Sequence, residues 1–204
     1  MPTSYSYAGE DLVALELLGD TRGTYLDIGA NHPTKANNTY LFYELGWSGV
    51  CVEPVPRLAV ALARSRPRDL VLELAASDRD GRMTLHEPAG ASGLATLCPG
   101  VAHDLERDHY RLASYEVEVR TLRSVAAEWR LGPPDLISLD VEGHERQVLD
   151  GTPFDAWRPR VLIIESTVPR TQVPSEASWE PPLLRLGYRL HAQVGINRIY
   201  SAIP

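Results

Sequence analysis

Short apolar runs alternate with helix-like segments along most of this 204-residue chain, and this alternation constrains the fold more than any other feature. The predicted strands are Thr24–Gly29, Gly49–Glu53, Leu70–Ala75, Asp135–Asp140, Val161–Glu165, Tyr188–Ala192 and Arg198–Ser201. The predicted helices are Glu10–Leu18, Asn38–Leu45, Arg57–Arg66, Glu145–Leu149 and Pro181–Leu186. Because strands that alternate with helices over short connections pair in parallel, the pattern predicts an α/β fold with helices on the faces of a parallel sheet.

The middle of the chain departs from this pattern. Strands are predicted over Arg82–His86 and over Tyr115–Thr121, where apolar and charged residues alternate. Between them, Glu87–Pro99 is rich in Gly, Ala and Pro, which predicts a mobile loop. We therefore expect a small insertion of strands and loops at about residues 82–120, within one domain that spans residues 1–204.

Acidic residues end several of the predicted strands. Asp27, Glu53, Asp140 and Glu165 close four of them, and Asp78 lies just past another. Ligands of open α/β sheets bind at the carboxyl ends of the strands, so these side chains are candidates for one site. Like charges gathered at one edge repel each other unless a ligand or cation is present, which makes a purely structural role harder to accept.

The turn after the first strand indicates which ligand this edge binds. Gly29 is followed by Ala30 and Asn31, and no further glycine occurs before Gly46, so the three-glycine pattern of dinucleotide-binding turns is absent. Glu53 has the position along the chain of a carboxylate that accepts hydrogen bonds from a ribose diol. These two features favour a nucleoside ligand without a pyrophosphate.

Composition argues against several other classes. The net charge is −7, and no basic face for nucleic acid is visible. The chain has no charged segment followed by an apolar core at its start, and no run of the roughly 20 apolar residues that a membrane helix needs. We expect a cytoplasmic protein that binds neither nucleic acid nor membranes.

Several segments, taken together, resemble a known family. These are Gly9–Asp11 (GED), Tyr25–Asn31 (YLDIGAN), Asn38–Thr39 (NT), Gly46–Gly49 (GWSG), Val52–Pro54 (VEP), Ala75–Asp78 (AASD), Leu139–Glu145 (LDVEGHE) and Ile164–Glu165 (IE). In this order they resemble FkbM-family methyltransferases over nearly the whole chain. The chain departs from the family at Tyr7, where many relatives carry glutamine, and over Glu87–Ser114, where we expect acceptor selectivity.

The resemblance implies a Rossmann-like class I methyltransferase fold: a mostly parallel seven-stranded sheet whose last strand is antiparallel. It also implies S-adenosylmethionine as methyl donor and a hydroxyl of a sugar or polyketide as acceptor. The implied cofactor-binding residues are Glu10, Asp27, Gly29, Asn31, Asn38, Thr39, Glu53, Ser77, Asp78 and Asp140. Among them, Glu53 would hold the ribose, Ser77 and Asp78 would reach the adenine amine, and Asp140 would lie beside the sulfonium.

Methyl transfer to a hydroxyl needs alignment and removal of a proton. Asp140, His144 and Glu165 are predicted as catalytic residues, with Glu142 as a further candidate. The alternative for Glu142 is a carboxylate that only complements a helix dipole. Because Asp140 and Glu165 end adjacent strands, they are also predicted to bind Mg²⁺, which prefers oxygen ligands.

Two other functions stay open at this point. One is a nicotinamide-dependent oxidoreductase, which also uses an acidic residue after the second strand. The other is a non-catalytic module that binds S-adenosylmethionine. The expected partner is a small-molecule or saccharide acceptor, and a homodimer is left open.

Overall fold

The computed structural model describes residues 2–19 and 22–203, which form seven α-helices and ten strands. The helices are α1 (Glu10–Leu18), α2 (Tyr40–Glu44), α3 (Pro56–Ser65), α4 (Pro99–Arg107), α5 (Leu122–Trp129), α6 (Glu145–Asp150) and α7 (Glu180–Arg185). The strands are β1 (Thr24–Ile28), β2 (Ser48–Val52), β3 (Leu70–Leu72), β4 (Ala75–Ala76), β5 (Gly81–Pro88), β6 (Leu112–Arg120), β7 (Leu136–Leu139), β8 (Val161–Glu165), β9 (Tyr188–Val194) and β10 (Asn197–Ala202). Within the described ranges, none of these helices has the length and apolar character needed to cross a membrane.

The main sheet has seven strands in the order β3-β2-β1-β7-β8-β10-β9. The pairs from β3 to β8 are all parallel, whereas β10 runs antiparallel to both of its neighbours. This topology confirms the predicted α/β fold, with seven strands and an antiparallel last strand.

The register of the parallel strands brings their carboxyl ends to one level. Ile28 of β1 pairs with Val52 of β2 and with Leu139 of β7. Leu139 pairs in turn with Ile164 of β8. The acidic residues that follow or end these strands therefore meet at one edge of the sheet, as the sequence predicts.

Helices cover both faces of the sheet because successive strand residues point to opposite sides. On one face, α1, α2 and α3 pack their apolar residues against Tyr25 and Cys51. On the other face, α5, α6 and α7 pack against Leu26 and Val50. Burial on both faces explains why these strands read as near-continuous apolar runs.

The predicted strand Leu70–Ala75 is wrong in its second half. β3 ends at Leu72, and Ala75–Ala76 forms β4 in a second sheet. Val52 pairs with Leu72, so an extended β3 would next have to pair with Glu53 and Pro54. Proline has no amide hydrogen to donate, and the chain leaves the main sheet at this point.

The insertion is more regular than predicted. β5 and β6 pair antiparallel over eight residue pairs and, together with β4, form a three-stranded sheet. The segment predicted as a mobile loop, Glu87–Pro99, completes β5, forms a 3₁₀ turn at Ser92–Leu94 and pairs Thr96 with His86. Leu85 and Leu97 are buried in the small core beneath it.

Helices α4 and α5 were not predicted. The side chain of Thr121 caps α5 by accepting a hydrogen bond from the amide of Ser124. This N-cap is a sequence signal that could have located α5.

Candidate functional site

A pocket lies at the carboxyl ends of β1, β2 and β7, with about 520 Å³ of empty space that is partly open to solvent. Asn31, Glu53, Asp140, Glu142 and His144 are its principal polar lining residues. Its apolar lining residues include Ile28, Val52, Ala75, Ala76, Leu85, Ala95 and Leu97. The pocket thus lies between the main sheet and the insertion, which supplies much of one apolar wall.

Gly29 allows the turns after β1 and β7 to lie against each other. Its φ angle is 77°, a conformation that side chains disfavour, and a Cβ atom there would overlap the carbonyl oxygen of Asp140. Asn31, two residues on, also has a positive φ of 49°. This tight turn places Gly29 in the lining of the pocket, and its contact with the cofactor stays a prediction.

Glu53 is held in place by two backbone amides. Its Oε2 accepts a hydrogen bond from the amide of Asn31 at 2.8 Å, and its Oε1 accepts one from the amide of Val55 at 2.8 Å. The residue is buried, and burial outweighs these hydrogen bonds and raises the pKa of Glu53 to about 7. Each carboxylate oxygen has a second lone pair with which it can accept a hydrogen bond from a ligand.

Asp27 lies behind the pocket rather than in its lining. Its Oδ2 accepts hydrogen bonds from Thr39 Oγ1 at 2.6 Å and from Asn37 Nδ2 at 3.1 Å. Asp27, Asn37 and Thr39 are all buried. Thr39 therefore supports Asp27 from behind, although the sequence placed it among the cofactor-binding residues.

A buried arginine beneath this group has no equivalent among the predicted site residues. Arg66 donates to Thr39 Oγ1 at 2.8 Å and lies 3.8 Å from carboxylate oxygens of both Asp27 and Asp69. Asp69 also accepts a hydrogen bond from the Tyr25 hydroxyl. Since Arg66 reads as the last residue of an ordinary helix followed by proline, no signal in the sequence marks it as buried.

Two further predicted residues lie on the other side of β1. Asn38 donates to Ser138 Oγ at 3.2 Å, which ties its loop to β7. Glu10 is fully buried, and its Oε1 accepts a hydrogen bond from Asn197 Nδ2 at 2.8 Å. Neither lines the pocket described above.

His144 lies against Ser77 rather than against a carboxylate of the pocket. Its Nε2 is 3.0 Å from Ser77 Oγ, and Ser77 Oγ lies 3.2 Å from Asp78. Burial lowers the pKa of His144, so the neutral ring is favoured at neutral pH. His144 therefore contacts Ser77, one of the two residues predicted to reach the adenine amine.

Three carboxylates gather at the ends of β7 and β8. One oxygen from each of Asp140, Glu142 and Glu165 lies within 4.8 Å of the other two. Glu165 is buried, whereas Asp140 and Glu142 are partly exposed. Asp140 and Glu142 also line the pocket, so this group, called the carboxylate cluster below, adjoins it.

The carboxylate cluster is electrostatically unfavourable when all its members are ionised. Burial is the largest cause that raises the pKa of each member, and mutual repulsion adds to it. The pKa of Asp140 rises to about 7 and that of Glu142 to about 9. A member of this cluster can therefore hold a proton at neutral pH or accept one from a ligand.

The structure brings some, but not all, of the predicted site residues together at this pocket. Gly29, Asn31, Glu53, Asp140 and His144 line one pocket, Ser77 touches it through His144, and Glu165 adjoins it through the cluster. The roles assigned to these residues, and magnesium at Asp140 and Glu165, stay predictions.

The methyltransferase FkbM domain family matches residues 27–190 of this chain. No relative among curated protein sequences matches it.

Two solved structures resemble the fold. The first is an O-methyltransferase from Bacillus cereus in complex with SAH, with 11% identity, a TM-score of 0.50, and coverage of 99% of this chain and 84% of the other. The second is a TehB-like SAM-dependent methyltransferase from Corynebacterium glutamicum, with 10% identity, a TM-score of 0.50, and coverage of 97% and 89%. At these identities the likeness concerns the fold alone.

Proposed function

The chain belongs to the FkbM methyltransferase family, and from this premise we propose that it is an O-methyltransferase that modifies a hydroxyl of a sugar or of a glycosylated or polyketide natural product. The family membership makes it an S-adenosylmethionine-dependent methyltransferase. The nature of the methylated atom and of the acceptor is our proposal.

The pocket suits a cationic nucleoside without phosphate. Within the described part of the chain, no lysine or arginine lines it, whereas Glu53, Asp140 and Glu142 do. This lining favours a sulfonium over a pyrophosphate, because phosphate sites use cations and helix N-termini. Glu53 would accept hydrogen bonds from the ribose hydroxyls, and the apolar wall from the insertion would cover the adenine.

The observation that carries the proposal is the carboxylate cluster beside this pocket. S-adenosylmethionine supplies a methyl group activated by its sulfonium. The acceptor oxygen forms a bond to the methyl carbon while the bond between that carbon and sulfur breaks, and the hydroxyl proton passes to a carboxylate. Because burial and repulsion raise the pKa of Asp140 to about 7, this residue is the base we propose.

The oxidoreductase alternative no longer fits, since the chain belongs to a methyltransferase family. A non-catalytic module that only binds the donor is the remaining alternative. Turnover distinguishes the two, because a binding module would hold the donor without consuming it.

The test is a methyl-transfer assay with isotopically labelled S-adenosylmethionine and matched acceptors. These are hexose and deoxyhexose glycosides, a polyketide alcohol, and amine and thiol analogues of the same compounds. We expect label on the oxygen of a hydroxyl acceptor, located by mass spectrometry and NMR. Transfer to the amine or thiol analogue alone would contradict O-methylation, and donor binding without transfer to any acceptor would favour the binding module.

Asp140→Asn provides the matched variant, because it keeps the shape of the side chain and removes its basicity. We expect loss of transfer with the fold retained, as judged by circular dichroism. Full activity in this variant would exclude Asp140 as the base.

A further inference from the structure

The carboxylate cluster has the composition of a metal site. We infer that Asp140, Glu142 and Glu165 together bind one divalent cation at the ends of β7 and β8. Their oxygens lie within 4.8 Å of one another, close enough for a single ion to contact all three after small side-chain movements. Glu142 is thus a third ligand beside Asp140 and Glu165, the two that the sequence predicts.

An unpartnered buried oxygen points to a ligand at this position. Glu165 is only 2% exposed, and its Oε2 has no hydrogen-bond partner among residues 2–19 and 22–203. A buried polar atom without a partner destabilises the fold, and more so when it is charged. The oxygen belongs to a side chain of the cluster, so an ion bound there would supply the missing interaction.

The surrounding charges do not neutralise the cluster. Glu145 adds a further carboxylate nearby, and its Oε1 is engaged by the amides of Val141 and Gly143. The guanidinium of Arg170 acts on Glu142, but it forms an ion pair with Asp108 at 2.7 Å. The negative charge of the three carboxylates must therefore be balanced by a cation from outside this group of residues or by bound protons.

The loop that carries Glu142 is held in an unusual conformation. Glu142 has a φ of 52°, which is uncommon for a residue with a side chain. Thr96, from the insertion, donates a hydrogen bond to the carbonyl of Glu142 at 2.7 Å. This contact fixes the backbone from which the Glu142 carboxylate reaches Asp140 and Glu165.

The ligand atoms of the carboxylate cluster favour a particular kind of ion. Three carboxylates without nitrogen or sulfur ligands suit Mg²⁺ or Mn²⁺, with the remaining positions left for water or a substrate oxygen. Such an ion lowers the pKa of a hydroxyl that binds to it, so with the ion bound this effect would replace the proton acceptance proposed for Asp140 in the ion-free cluster. The inference rests on the proposed function in this respect, since the acceptor hydroxyl is expected beside the cluster.

Mn²⁺ binding tests the inference without any turnover. The free protein is titrated with Mn²⁺ and followed by electron paramagnetic resonance, with Mg²⁺ as competitor. We expect one Mn²⁺ per chain, displaced by Mg²⁺, and at least about tenfold weaker binding in Glu142→Gln and in Glu165→Gln. Glu16→Gln, which removes an exposed carboxylate from α1, should bind like the wild type.

The results overturn the inference if no Mn²⁺ binds at millimolar concentration, or if Glu142→Gln binds as tightly as the wild type. Glu142 is partly exposed, so that variant remains informative if Glu165→Gln fails to fold. Calorimetric binding of S-adenosylhomocysteine is measured on the same samples. In the wild-type protein, absence of Mn²⁺ binding with S-adenosylhomocysteine binding intact would contradict the metal site alone. Mn²⁺ binding without S-adenosylhomocysteine binding would instead contradict the proposed function.

Discussion

At the scale of single residues, Glu53 links the electrostatics of the pocket to ligand binding. Burial raises its pKa to about 7, although two backbone amides favour the charged form. Ribose hydroxyls that donate to its carboxylate would favour ionisation further. Binding of a nucleoside should therefore expel a proton from Glu53 at pH values below about 7.

This gives a pH dependence with a definite sign. We expect the affinity for S-adenosylhomocysteine to rise as the pH increases towards about 7, by up to tenfold per unit, and then to level off. Calorimetry in buffers with different ionisation enthalpies measures the accompanying proton release.

Glu53→Gln is the control for this effect, because glutamine has the same shape but does not titrate. Asp140 also has a pKa of about 7, so the difference between the two proteins isolates the contribution of Glu53. Equal pH slopes in the variant and the wild type would contradict the assignment of Glu53 to the ribose.

Gly29 allows a second prediction at this scale. In Gly29→Ala, the methyl group would overlap the carbonyl of Asp140 and force a positive φ on alanine. We expect the free energy of unfolding to fall by about 2–5 kcal/mol and donor binding to weaken, since the turn that positions Asn31 must move.

Gly132→Ala serves as the matched control, because its added Cβ would have no atom within 4 Å. Chemical denaturation of the two variants measures the difference. Equal stability would show that the close approach of the β1 and β7 turns is not required.

At the scale of elements, α3 supports the pocket from below through its last turn. Arg66 caps this helix and lies between Asp27 and Asp69, while it also holds Thr39. Arg66→Met keeps most of the apolar volume but leaves both carboxylates buried without a cation. We expect a loss of about 3–5 kcal/mol in the free energy of unfolding.

Arg64→Met, an exposed change on the same helix, should have little effect. Urea denaturation measures both variants. A loss below about 1 kcal/mol in Arg66→Met would contradict the bridging role of Arg66.

The elements also show what the sequence could predict. β8 and α1 have the predicted bounds. The continuous apolar run of β8 is a local signal, whereas α1 is barely amphipathic and buries Glu10 and Asp11 along with its apolar residues. The end of β3 could not be predicted from its own residues, because it depends on Pro54, which follows the neighbouring strand β2. Arg66 and the wall made by Leu85 and Leu97 were missed because their burial arises only when distant segments pack together.

At the scale of the whole molecule, the sheet brings several carboxylates to one edge, and their burial and mutual repulsion lower the stability of the fold. Burial and repulsion raise the pKa of Glu142 from its ordinary 4.5 to about 9, with Asp140 and Glu165 also raised. A carboxyl group with a raised pKa in the folded state favours folding at low pH. Its contribution is lost as the pH rises towards the folded-state value.

We therefore expect the chelator-treated protein to lose thermal stability between pH 7 and pH 9. The free energy of unfolding should fall by about 1.4 kcal/mol per pH unit for each proton that the folded cluster retains. Added Mg²⁺ should flatten this slope because it stabilises the ionised cluster, and Glu142→Gln should flatten it without metal. A melting temperature that is constant from pH 7 to pH 9 in chelator would contradict the raised pKa values.

The central claim is that the carboxyl edge of the main sheet binds the methyl donor as a phosphate-free nucleoside. A crystal structure with S-adenosylhomocysteine tests it most directly. We predict the ribose hydroxyls within hydrogen-bond distance of Glu53 and the sulfur on the side of Asp140. A ligand seated at the opposite edge of the sheet, in the cleft lined by Thr24, Ser48 and Trp157, would contradict the account.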